Sequence, residues 1–215
     1  MTYIFRTLYA LGVILVFALL SPLASAAEFA EGSDYTVISP RMETTVGEDK
    51  IEVIEFFWYG CPHCYTVEPY IKNWKMPENV ELVRIPGTFS ERWIIHAKVY
   101  YTLESLDRLD LHEVFFNAIH GRQQRRDLVS EDRIAEFFAS FSSGISEDKF
   151  SKAYNSFIVN TKTQKADRLV REYAIKSVPT FIVNGRYLTS PSMVGSSQRL
   201  ISALDYLINL EREKS

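Results

Sequence analysis

The chain has 215 residues, 47% of them hydrophobic and 13% aromatic, which is enough to bury a core and excludes a disordered chain. Charge is nearly balanced, 24 Lys+Arg against 27 Asp+Glu for a net of −3, so there is no electrostatic footprint for nucleic acid and none is expected as a partner. Two cysteines are too few for a fold that depends on disulfide staples.

Residues 1–26 read as a secretory signal peptide. Arg6 supplies the positive start, Leu8 to Leu20 is apolar, and Ala24-Ser25-Ala26 offers small residues for cleavage before Ala27. The apolar run falls short of the roughly 20 residues of a spanning helix, which argues against an uncleaved anchor. Export places the mature chain where disulfides persist.

Two kinds of sequence follow. Residues 51–57 (IEVIEFF) and 80–85 (VELVRI) are short, β-branched and aromatic, as buried strands are, with a helix between them running toward Trp74. From Thr88 to about Thr163 the period turns helical. Leu111, Val114, Phe115, Ala118 and Ile119 form one apolar stripe, stopped by Gly121. Ile134, Phe137, Phe138 and Phe141 form a second after Ser130, ending near Gly144, and Phe150, Ala153, Tyr154 and Phe157 form a third. These stripes are expected to be core. The run Arg122-Gln123-Gln124-Arg125-Arg126 falls at a helix–helix junction and reads as a solvated loop rather than a docking patch for an acidic partner.

Residues 180–183 (TFIV), Asn184-Gly185 and Arg186-Tyr187-Leu188 predict a hairpin with a type I′ turn. A last helix carries Leu200, Ile201, Leu204, Leu207 and Ile208. Strands, then helices, then a hairpin and a helix predict an α+β domain interrupted by a helical one.

Both cysteines fall in one motif, Cys61-Pro62-His63-Cys64, between strand 51–57 and the helix after it. As a structural bridge the closed four-residue loop would contribute only about 2 kcal/mol, against about 4.7 for a loop of 100 residues. Reversible chemistry is the better account. A cysteine at a helix N-terminus faces unpaired N–H groups and the positive end of the macrodipole, which favour thiolate over thiol. Pro62 suits the first helical turn, and His63 adds a donor or a positive charge. A stabilised thiolate stabilises the reduced pair, so the disulfide becomes the stronger oxidant. Zinc would need four ligands, and His96, His112 and His120 lack the spacing of a second pair. Covalent haem would need His where Tyr65 stands. No metal or other cofactor is expected.

The segment EFFWYGCPHCY, the motif Val178-Pro179-Thr180 before a strand and an Asn-Gly hairpin, and the helical block between them resemble the DsbA family of thiol:disulfide interchange proteins. The resemblance spans essentially the whole chain after the leader. It implies a thioredoxin-like α+β fold, a central mixed β-sheet flanked by helices, formed by residues 27–88 and 164–215 with an all-helical domain inserted at 89–163. It makes Cys61 the exposed attacking sulfur, Cys64 its buried partner in a redox-active disulfide, and Pro62 and His63 the tuning pair. Pro179 would be a cis proline packed against the disulfide, and Val178-Pro179-Thr180 would meet a substrate strand through the main chain.

The resemblance further implies a monomeric periplasmic oxidase that transfers the Cys61–Cys64 disulfide to reduced, unfolded exported proteins. A quinone-linked membrane protein of the DsbB type would reoxidise it. A reductase or isomerase on the same fold is the nearer alternative, and a non-enzymatic dithiol metallochaperone the more distant one. Glu55 lies inside an apolar strand six residues before Cys61, where a carboxylate needs a reason. It reads as a proton acceptor or electrostatic tuner for Cys64, against a strand-edge Glu reaching solvent, as Glu52 is expected to do. Pro69 is expected to kink the active-site helix. Trp58, Tyr59 and Tyr65 either line a peptide groove or pack.

Overall fold

A computed structural model describes residues 28–122, 124–140 and 144–214. The predicted leader at 1–26 and the predicted core residue Phe141 lie outside them. Five strands form one mixed sheet in the order β1-β5-β4-β2-β3. They are β1 (Thr36–Val37), β2 (Ile51–Phe57), β3 (Val80–Pro86), β4 (Thr180–Val183) and β5 (Tyr187–Thr189). β2 runs parallel to β3 and antiparallel to β4. A parallel pair requires a crossover, and helix α1 (Pro62–Lys72) supplies it.

Flanked by strands on both edges and covered on both faces, β2 buries all seven of its residues, which is why it reads as an almost continuous apolar run. This overturns the expectation that Glu52 reaches solvent. Glu52 is 1% exposed, and its Oε1 accepts hydrogen bonds from the Thr45 N–H and hydroxyl at 2.8 and 2.5 Å. An interior strand has no edge from which a Glu could escape.

The helical block comprises α2 (Glu91–Ser105), a 3-10 turn at Leu109–Leu111, α3 (His112–His120), α4 (Glu131–Ser140), α5 (Glu147–Tyr154) and the start of α6 (Phe157–Glu172). α3 stops where expected, at Gly121, whose N–H bonds the Asn117 carbonyl so closely that a Cβ would collide with that oxygen. Ile134, Phe137, Phe138, Phe150 and Tyr154 are core. Phe157 is not. The chain turns at Asn155, Ser156 caps a new helix by accepting from the Val159 N–H, and Phe157 at its first position is 85% exposed. α6 also runs unbroken through Thr163, where the helical block was expected to end.

Asn184 and Gly185 both have positive φ, 51° and 65°, as the predicted turn requires. Val183 pairs with Tyr187, however, so Arg186 belongs to the loop and not to the strand. Its N–H bonds Val183 and its carbonyl accepts from the Ile38 N–H. A short helix α7 (Pro191–Val194) leads to α8 (Ser197–Arg212). One apolar cluster joins the sheet to the helical block, and a second lies between the sheet, α1 and α8. Among the described residues no helix is long and apolar enough to cross a membrane.

Candidate active site

β2 leads through Trp58-Tyr59-Gly60 to Cys61, which occupies the N-cap of α1 in extended conformation. A cap residue satisfies one of the free N–H groups of the first turn, and here sulfur does so: Cys61 Sγ accepts from the Cys64 N–H at 3.4 Å. Pro62 takes the first helical position, and Pro69 lies inside the same helix. Both cysteines are thiols. The Cys61 thiol donates to the Val178 carbonyl at 3.4 Å, next to a cis peptide at Val178–Pro179. A second cis bond, Ser39–Pro40, had no signal in the sequence.

The structure thus brings Cys61, Pro62, His63, Cys64, Val178 and Pro179 together. Cys61 is less exposed than expected, 8% accessible against 0% for Cys64, because the helix end and the Val178 segment close over it. Thr180 is buried in β4, its hydroxyl bonded to the Ser177 carbonyl at 2.8 Å.

The two thiols are pushed in opposite directions. That of Cys61 is lowered to about 6, first by a hydrogen bond from the Cys64 thiol, against the cost of burial, then by the N–H groups of Cys64 and His63, and last by the charge of His63. Burial pushes the Cys64 thiol well up, reinforced by Cys61 and by the charge of Glu55.

Glu55 is fully buried on the β2 face that α1 covers. Its Oε2 accepts from Arg84 Nε at 2.9 Å, and Arg84 Nη2 reaches Glu68 at 3.3 Å. Glu68 in turn meets His112 Nε2 at 3.2 Å, and His112 Nδ1 meets the Tyr59 hydroxyl at 2.7 Å. Burial holds His112 neutral, so Nε2–H donates to Glu68 and Nδ1 accepts from Tyr59. Burial raises Glu55 to about 7, opposed by Arg84 and reinforced by Glu68. Glu68 is lowered despite burial, through His112 and Arg84.

The sequence reading missed Arg84, Glu68 and His112. Two signals point to Glu68 and Arg84, and none to His112. Glu68 follows Cys64 at i+4 on one helix face, and Glu55 and Arg84 are each the fifth residue of strands that pair in register. The aromatic residues divide: Tyr59 is wholly buried, whereas Trp58, stacked on Trp93 at 4.2 Å, and Tyr65 line a cleft. Among the described residues no group of three or more His, Cys, Asp and Glu side chains is placed to hold a metal.

A family model described as Thioredoxin matches residues 41–203. The thiol:disulfide interchange protein DsbA of Pseudomonas aeruginosa is 35% identical over 96% of this chain and 97% of its own length. That of Azotobacter vinelandii is 39% identical over 87% of each. A crystal structure of Pseudomonas aeruginosa DsbA superposes with TM-score 0.81 at 36% identity, covering 88% of this chain and 97% of that one. The chain belongs to the DsbA family. It is a thioredoxin-like thiol:disulfide oxidoreductase, and Cys61-Pro62-His63-Cys64 supplies the CxxC pair that this activity requires. In the chain a run of helices separates β3 from β4, and the site forms where the end of β2 and the start of α1 meet the segment before β4.

Proposed function

We propose that this DsbA-family enzyme works in the direction of oxidation, as a monomeric disulfide donor to reduced, unfolded exported proteins. In this reading residues 1–26 are a cleaved leader, the thioredoxin-like domain comprises 27–88 and 164–215, the helical insertion is 89–163, and the enzyme acts in the periplasm. A quinone-linked membrane partner of the DsbB type restores its disulfide. The observation that carries the direction is the low Cys61 thiol beside a raised Cys64 thiol.

A substrate thiolate attacks Cys61 Sγ, the Cys61–Cys64 bond breaks, and Cys64 leaves as a thiolate that takes up a proton. Glu55, held near neutrality in its titration, exchanges that proton and sets the charge below Cys64. The second substrate thiolate then attacks the substrate sulfur of the mixed disulfide and expels Cys61, whose stabilised thiolate is a good leaving group. Two electrons pass from substrate to enzyme. His63 and Pro62 shape the helix end that holds Cys61. Val178, Pro179 and Thr180 form the edge along which substrate main chain docks, beside a cleft of about 400 Å³ lined by His63, Pro191, Ser192 and Ser196.

Equilibrating Cys61–Cys64 with glutathione buffers tests the direction. The expected potential is more oxidising than the roughly −270 mV of thioredoxin, and a value at or below that figure would establish the reductase alternative. Tight metal binding in equilibrium dialysis, lost in Cys61→Ser and with no disulfide transfer to a reduced peptide, would establish a metallochaperone.

A further inference from the structure

Cys61 lies between two clefts of different charge. The one beside Val178 and Pro179 is lined by His63 and otherwise by apolar and hydroxyl side chains, with no Arg, Lys, Asp or Glu among its described lining residues. The other, about 680 Å³, begins at Gly60 and Pro62, the two chain neighbours of Cys61, and extends past Trp58 and Tyr65 to Arg92, Arg125 and Arg126. None of its described lining residues is an acid, although acids outnumber bases in the chain.

The arginines are not equivalent. Arg125 is forked onto Asp127 at 3.0 and 2.9 Å, which neutralises it and stiffens the loop. Among the described residues the Arg126 guanidinium bonds the Gln124 side-chain oxygen, at 3.2 Å, and no acid, and Arg92 forms no ion pair. Both are exposed. The run after Gly121 that reads as an ordinary solvated loop therefore places a positive charge across the cleft from one on α2. Beneath them the wall is aromatic, Trp58 stacked on Trp93.

We infer that this cleft is a substrate subsite selecting acidic residues: a polypeptide whose cysteine is bonded to Cys61 lays Asp or Glu side chains from its flanking sequence between Arg92 and Arg126. The inference rests on the disulfide-donor reading and names its substrate class. Charges at such a rim act mainly on encounter and choice of partner, and salt screens them.

The test uses three reduced dithiol peptides, identical except for flanking residues that are acidic, neutral amide or lysine, each oxidised by the disulfide form of the enzyme. At low ionic strength kcat/KM should fall from acidic to neutral to lysine, by on the order of fivefold per step, and the spread should contract in salt. The paired charge swap Arg92→Glu and Arg126→Glu should invert the order, which a variant that merely failed to fold could not do. Equal rates for the three peptides, or an order unchanged by the swap, would overturn the subsite and leave the donor reading standing. Oxidation of none of them would remove both.

Discussion

The hydrogen bond from the Cys64 thiol, and not the charge of His63, is the main support of the Cys61 thiolate. Replacing Cys64 by Ala removes the thiol donor but keeps the backbone N–H that bonds Cys61 at 3.4 Å. A hydrogen bond to a charged group contributes about 1.5–3 kcal/mol, so the midpoint of Cys61 should rise by at least about one pH unit. His63→Ala removes only the weakest of the supporting effects and should move it by a few tenths. The readout is the pH profile of the iodoacetamide rate on the reduced protein, in which Cys64 is too buried to compete. With the wild-type thiol at about 6, ~90% is thiolate at pH 7, against ~3% for a free thiol near 8.5. Cys64→Ser keeps an O–H donor and should restore most of the shift. A wild-type midpoint near 8.5, or a larger shift in His63→Ala than in Cys64→Ala, would refute this account.

The Glu55 carboxyl is raised from 4.5 to about 7, so the stability it contributes is full below pH 4.5 and lost as pH rises through 7. Urea unfolding should therefore show Glu55→Gln gaining roughly 3 kcal/mol on wild type between pH 4 and pH 8, and a pH-independent difference would contradict the buried charge. Glu68→Gln leaves Arg84 to Glu55 alone, so the Glu55 midpoint, followed by carboxyl carbon NMR, should move down; an unchanged midpoint would mean that the two carboxylates do not share the guanidinium. Phe150→Ala should cost about 3–5 kcal/mol and Phe157→Ala less than about 0.5, since the first is fully buried and the second stands exposed at the first position of a helix, and equal costs in urea unfolding would contradict the break between α5 and α6.

What was legible in the sequence was local. IEVIEFF is a strand to the residue, because an interior strand announces itself by an apolar run between turn signals. α3 ends at its glycine, and the Asn-Gly turn has the required backbone. What was missed depends on which segments meet. Glu52 looks like Glu81, yet one lies in the middle of the sheet and the other forms an exposed pair with Lys50. Phe157 keeps the helical spacing of Phe150 and Tyr154, but spacing does not register that Ser156 has capped a new helix. Arg84 became visible as a partner of Glu55 only through the parallel register of two strands 29 residues apart. At the cysteines the motif offered the helix N-terminus and His63 as supports of the Cys61 thiolate but not the Cys64 thiol, whose effect depends on side-chain geometry and not on composition.

One turn of helix accounts for the difference between the two sulfurs. Cys61 stands at the cap, where N–H groups point at it, and Cys64 three positions later opens the buried stripe that Val67, Glu68 and Ile71 continue. A rise of about 4.5 Å along the axis carries a cysteine from the positive end of a dipole into a core, and the two environments displace the thiols oppositely. Glu68 in that stripe and Glu55 on the strand bring two carboxylates to one guanidinium and a neutral imidazole, a set with one negative charge too many when both acids are ionised. Both acids pay for burial, but Glu68 has two partners, His112 and Arg84, that outweigh it, whereas Glu55 has Arg84 alone and the charge of Glu68 against it, so Glu68 falls and Glu55 rises. The charge of Glu55 raises the Cys64 thiol, and coupling between two sites is reciprocal, so in the proposed exchange a Cys64 thiolate would raise the Glu55 carboxyl in turn.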